Sequence, residues 1–354
     1  MSNPPSTSCE HSRPWLKPLG FCALAATTLA GVIGVAGMAQ SRPKEVNVYS
    51  GRHYNTDKLI YREFTRNTGI KVNLLEGKDD ELIQRLKSEG NNSKADLLVL
   101  VDAARIYRAQ EANLFRSIRS TQLNKDVPAN LRDTKGQWFA LTRRARPVMV
   151  NPAIVKPGLI RSYADLSRAE LKGKLCLRNR ASVYNQSLTA DELVRRGIPA
   201  TQQWLRGMLA NTKRPFFTSD TPMLRAVGQG QCGAAVANQY YLARMLQDKN
   251  STERSNASKL KVVWPNPTHI NISAGGITRS SRNPEGAQRL LEFLVSSKSG
   301  EGYAAANNEY PVTGWGNNPT LKAFGSFRTS PVSMEQLGRR NREAVQLMTQ
   351  AGWE

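Results

Sequence analysis

Polar and apolar residues alternate over Glu45–Ser50 (E-V-N-V-Y-S), which predicts a strand stopping at Gly51. Leu59, Ile60 and Phe64 then share one face of a helix over 56–67, with Asn55 or Thr56 as its cap. Ile70, Val72 and Leu74 alternate as a second strand, and a charged helix covers 79–89. Ala95–Val101 is a continuous apolar strand, followed by helical pattern over 103–112. This β-α-β-α-β order predicts a parallel sheet covered by helices.

A second unit follows Trp138-Phe139-Ala140. Pro147–Val150 and Lys174–Arg178 read as strands, and Ala181–Tyr184 as a loop entering a helix. Helices are expected over 189–196, 201–210 and 222–228, and Gly233–Asn238 is a buried strand running into Tyr240-Tyr241. Ile270–Ile277 is a strand of small residues, and helices over 284–297 and 333–351 close the chain. Asp248–Ser258 is polar and reads as an exposed loop, and no internal repeat is found. Two α/β units joined by more than one strand suit a hinged binding protein with its ligand in the cleft. The ligand would lie beyond the carboxyl ends of the strands, near the loops 51–54, 182–184 and 239–241.

The N-terminus changes the compartment. No charged residue occurs from Pro18 to Ser41, Arg13 and Lys17 precede that run, and Gly37-Met38-Ala39 closes it as a small-x-small site. Residues 1–39 are therefore expected to be a signal peptide cleaved before Gln40, exporting the chain to the periplasm. The run is also long enough for an uncleaved anchor in the cytoplasmic membrane. The 354-residue chain carries 50 Lys and Arg against 28 Asp and Glu. Loss of residues 1–39 removes Arg13, Lys17 and Glu10 and leaves a net charge of +21. The basic residues are spread along the chain, which favours a solvated surface drawn to anionic membrane over nucleic-acid binding. Outside the leader, Cys176 and Cys232 form an even pair expected to bridge in an oxidising compartment.

The strand-end loops hold an unusual set of phenols: Arg52-His53-Tyr54 in the first, Tyr184 in the second, Tyr240-Tyr241 in the third. A phenol ionises near pH 10, so tyrosinate is a poor ligand for weakly polarising metals. Ferric iron is hard and trivalent and displaces the phenolic proton near neutral pH. Four phenolates would leave the site at −1, an excess that Arg52, Arg144 or Arg244 could offset. Tyr49, Tyr61, Tyr107, Tyr163, Tyr303 and Tyr310 read as ordinary half-buried aromatics. With His53 and His269 the only histidines beyond the leader, a multi-histidine zinc or copper site is not expected. No nucleophile elbow or Walker motif is present, so an enzyme is not expected either.

The strings Val48-Tyr49-Ser50-Gly51-Arg52-His53-Tyr54, Ser182–Ser187 (S-V-Y-N-Q-S) and Ala237–Tyr241 (A-N-Q-Y-Y) resemble the ferric-binding proteins of the bacterial iron ABC importer. They are especially similar to the cyanobacterial Fut-type receptors, whose leading motif is R-H-Y. The resemblance runs from about Val46 to Gln350–Trp353. It implies a transferrin-like type II periplasmic binding fold, with two α/β lobes joined by a two-strand hinge. The lobes would be 40–145 with about 275–315, and 146–274 with about 316–354. It further implies that Tyr54 reaches Fe³⁺ from the first lobe and Tyr184, Tyr240 and Tyr241 from the second. His53 matches a position that supplies a fifth ligand or stays behind the ligands, and Arg244 resembles a charge partner. With four tyrosines, an obligatory anion is not expected. The partner implied is the membrane permease of the importer, served by a monomer. Two other readings stay open: an anion receptor of the same fold, and a basic membrane-associated scaffold or polyanion-binding protein.

Overall fold

A computed structural model describes residues 45–52 and 56–354. The expected signal peptide, and with it cleavage or anchoring, lies outside the described residues, as do His53 and Tyr54. Among the described residues no helix is long and apolar enough to cross a membrane.

The first half alternates strands and helices: β1 (Glu45–Ser50), α1 (Asp57–Thr68), β2 (Lys71–Glu76), α2 (Asp79–Glu89), β3 (Leu97–Val101), α3 (Ala103–Glu111) and α4 (Thr121–Asp126). Val46 and Val48 of β1 are wholly buried, as the alternation predicts. Gly69 ends α1 in the left-handed conformation, φ 70°, and its amide donates to the Thr65 carbonyl. β4 (Phe139–Ala145) and β5 (Val148–Val150) follow, then β6 (Leu175–Cys176), α5 (Val183–Ala210), α6 (Asp220–Gly228), β7 (Ala234–Val236), α7 (Gln239–Leu246), α8 (Ser251–Ser258) and β8 (Lys261–Val263). The chain ends with β9 (Ile270–Ile277), α9 (Pro284–Val295), α10 (Ser297–Ala305), α11 (Pro319–Ala323) and α12 (Met334–Gln350).

These strands make two sheets. The first has the order β2-β1-β3-β9-β4 and the second β6-β7-β5-β8. In the first, β1 runs parallel to β2 and β3, while β9 is antiparallel to β3 and β4. β9 lies between β3 and β4, and its Gly276 is required there because a Cβ would meet the Phe115 ring at 2.4 Å. The chain passes between the sheets twice, at Arg146-Pro147 and over 264–269. The two crossings are bonded to each other: the Arg146 amide donates to the His269 carbonyl at 3.1 Å. The Tyr163 hydroxyl staples them, donating to the Arg146 carbonyl at 2.6 Å and accepting the His269 amide at 3.1 Å. This is the two-strand connection of a type II periplasmic binding fold. β9 lies unbroken in the first sheet, so the division expected at 274–275 falls inside a strand.

Three stretches differ from the sequence expectation. Asp248–Ser258 was expected as a loop, but Ser251–Ser258 is helical. Asn250 accepts the Thr252 and Glu253 amides as its cap, and the helix buries Asn256 and Ala257. Tyr184 was expected in a loop, yet α5 already begins at Val183 and is broken only at Gly197, φ 77° and ψ 174°. Tyr240 and Tyr241 were expected at a strand end and instead open α7.

Candidate functional site

The three described tyrosines stand on the first turns of two helices. The start of α5 is fixed by Asn185, whose amide group donates to the Arg178 carbonyl at 3.1 Å. The start of α7 is fixed by Gln239, which is buried. Its Oε1 accepts the Ala145 amide at 2.8 Å and its Nε2 donates to the Asn308 carbonyl at 2.9 Å, tying the helix to β4 beside the crossing. Both helices present their N-termini here, where the backbone field favours an anionic oxygen.

This geometry brings Tyr184, Tyr240 and Tyr241 together. The Tyr240 hydroxyl donates to the Tyr184 hydroxyl at 3.2 Å, and Asn238 Nδ2 donates to Tyr240 at 3.3 Å. The Tyr240 and Tyr241 rings lie 4.4 Å apart between centroids. Burial pushes the Tyr241 phenol well above its ordinary value, and the Tyr184 and Asp220 charges add to this, against Tyr240 and Arg178. Such a phenol keeps its proton in the metal-free protein, and only a strongly polarising cation displaces it.

Positive charge surrounds the cluster. The Arg144, Arg146 and Arg178 guanidinium carbons lie 5.5, 5.7 and 5.8 Å from the Tyr184 ring centroid, and Arg244 lies 4.8 Å from that of Tyr240. Arg144 is 2 % exposed; its Nη1 donates to Ser273 Oγ at 3.2 Å, while Nε and Nη2 have no hydrogen-bond partner among the described residues. Burial works against its charge, but Tyr184, Tyr240, Glu309 and Asp102 more than restore it. Arg52 is placed differently. Its guanidinium is buried between Asp57 at 2.9 Å and Glu309 at 2.7 Å and lies over the Tyr303 ring, in the body of the first sheet.

Sequence reasoning missed Arg146, Arg178, Asp220 and Asn238. Arg178 Nη1 meets Asp220 at 2.5 Å, and Arg146 lies 3.9 Å from the same carboxylate. Arg146 and Arg178 each sit at a strand end beside a tyrosine loop, a signal that was available. Asp220 is brought in only by the fold. Cys176 and Cys232 form a disulfide, with Cα atoms 5.9 Å apart, joining β6 to the residue before the Gly233 lead-in of β7.

A cleft of about 610 Å³ opens beside the cluster, lined by Tyr184 from one side and by Gly51, Gly77, Asp79, Val101 and Arg105 from the other. Among the described residues no three His, Cys, Asp or Glu side chains come together to hold a metal. The opposite wall also carries Glu76, Asp79, Asp80 and Glu81. The donors of the adjoining cluster are phenolic, and phenolates backed by guanidinium groups fit a hard, highly charged cation.

The sequence pattern of bacterial extracellular solute-binding proteins matches residues 60–314. The chain belongs to this family. Among solute-binding proteins of known structure, FutA (IdiA) of Trichodesmium in complex with iron and citrate is 41 % identical, with a TM-score of 0.85 over 88 % of this chain and all of that one. Iron uptake protein A1 of Synechocystis is 41 % identical over 88 % of each chain. The Fe(3+)-binding periplasmic protein of Serratia marcescens is 29 % identical over 95 % of this chain and 98 % of its own.

Proposed function

We propose that this solute-binding protein captures Fe³⁺ in the periplasm and delivers it to the permease of an ABC-type iron importer. The observation that carries this reading is the meeting of Tyr184, Tyr240 and Tyr241 at two helix N-termini under buried guanidinium groups. In this reading these three phenolates hold iron from the second lobe, and Tyr54 arrives from the first as the lobes close. His53 either joins as a fifth ligand or stays behind Tyr54. Arg144 and Arg244 offset the excess negative charge, and Arg52 serves the fold instead. The lobes divide at the two crossings, 146–147 and 264–269, and residues from about 316 to 354 return to the second lobe, where Trp353 Nε1 donates to the Arg178 carbonyl. The protein works as a monomer, with no catalytic role, and its basic surface rests near anionic membrane. Lobe closure links metal binding to a hinge motion that the permease can recognise.

Ferric citrate added to iron-free protein should produce an orange-to-red tyrosinate-to-iron band. A colourless protein that retains no iron would remove this reading. One observation favours a second: Nε and Nη2 of Arg144, which have no partner among the described residues, would also suit an oxyanion. Calorimetry of iron-free protein against phosphate, sulfate and carbonate separates the two, since an anion receptor binds without metal.

A further inference from the structure

Asp102 directly follows β3 in the first sheet and has φ 92° and ψ 133°, a backbone conformation that side chains other than glycine rarely adopt. Such a conformation is strained and persists only when its surroundings dictate it. The surroundings here are complete. The Asp102 amide donates to the Ile272 carbonyl at 2.9 Å. Its Oδ2 accepts from Asn271 Nδ2 at 2.8 Å, and its Oδ1 accepts the Ala104 amide at 3.0 Å. Asn271 in turn accepts the Ala103 and Ile272 amides at 2.9 and 2.8 Å. The carboxylate is therefore aimed rigidly out of the first sheet.

Its remaining contact crosses to the other body. The Ser187 hydroxyl, on α5, donates to Asp102 Oδ1 at 2.7 Å, and both residues are fully buried. Ser187 lies three residues after Tyr184, on the same face of the helix. We infer that the Asp102–Ser187 hydrogen bond is a latch that holds the tyrosine-bearing helix against the first sheet and so sets how firmly the cleft stays shut. Among the described residues Asp102 hydrogen-bonds to no candidate iron ligand, and it acts by positioning α5. The inference rests on the ferric reading above for its effect on iron, but not for its effect on opening.

Ser187→Ala removes only the latch, because Asp102 Oδ1 keeps the Ala104 amide and alanine suits a helix interior. Iron-loaded protein mixed with excess chelator should lose its visible band about three- to tenfold faster in Ser187→Ala, the range a lost net hydrogen bond allows. Small-angle scattering of the iron-free variant should show a larger radius of gyration, at an unchanged melting temperature. In a double-mutant cycle with Asp102→Gly, which tolerates the backbone angle, the second substitution should add nothing to the release rate. Wild-type release and wild-type radius in Ser187→Ala overturn the latch, as does a lowered melting temperature with an unchanged radius, or additivity in the cycle. If wild-type protein shows no band, the ferric reading falls, and the scattering comparison alone decides the latch. Should Asp102→Gly fail to fold, Ser187→Ala carries the test.

Discussion

Tyr240 is almost wholly buried, and Tyr241 is pressed against its ring, so replacing either hydroxyl with hydrogen leaves the packing in place. Tyr240→Phe with Tyr241→Phe should therefore keep the melting temperature within a few degrees while removing the visible band. Iron affinity should fall more than about a hundredfold, beyond the loss typical of residues that only support metal ligands. Arg52 predicts the opposite pattern. Substituting Arg52→Met strands Asp57 without its buried counter-charge, leaves Glu309 only Arg144, and should cost about 3–5 kcal/mol in chemical denaturation. Burial alone would raise the Glu309 carboxyl, but Arg52 and Arg144 hold it below the ordinary glutamate range. A depressed carboxyl stabilises the fold above its unfolded value and loses that contribution as pH falls through its lower folded value. Melting should therefore decline below about pH 4, and Glu309→Gln should flatten that limb. An equally steep acid limb in Glu309→Gln would show that other carboxylates dominate.

At the scale of elements, the disulfide closes a loop between residues 56 apart in sequence and fixes the start of β7, the strand that leads to the tyrosine pair. Its reduction should lower stability by about 2–4 kcal/mol in denaturant titrations. Gly197 breaks α5 at φ 77° and ψ 174°, a region kept almost entirely for glycine, so Gly197→Ala should cost about 1–3 kcal/mol in the same assay without altering the iron band. How legible these elements were depended on their length. β1, α2, α9 and α12 carry enough alternating or helical pattern to be read directly. β7 spans three residues and β6 two, too short to sustain a period, so the strands read over 233–238 and 174–178 are longer than those formed. Tyr240-Tyr241 looked like a strand end because aromatic residues favour strands. The helical signal lay just beyond, where Leu242, Ala243 and Met245 turn into the core. Strand-end positions, and the motifs that carry the family resemblance, pointed to the phenol cluster. The ion pairs of Arg146 and Arg178 with Asp220 were not legible, because those residues meet only after β5, β6 and α6 are packed. The Arg52–Glu309 ion pair was not legible for a related reason: the two residues are remote in sequence and meet only in the fold.

For the whole molecule, charge and site make separable claims. The net charge is +22 for the full chain and +21 without residues 1–39, so the surface attracts anions whatever becomes of the leader. That attraction acts over a screening length of about 10 Å at 0.1 M salt and shrinks to about 3 Å at 1 M. The charges around Tyr184 and Tyr240 act at 4.8 to 5.8 Å within a largely buried setting, where screening reaches poorly. Raising salt should then slow capture of an anionic ferric chelate, because steering is lost, while the rate of iron release into a chelator barely changes. Binding to anionic vesicles, if the basic surface provides it, should collapse over the same range. Stopped-flow absorbance at the tyrosinate band gives both iron rates, and vesicle sedimentation gives the third quantity. Release that accelerated with salt in step with vesicle loss would mean that iron is held by the diffuse surface charge. The three phenols would then be no more than a packed aromatic cluster.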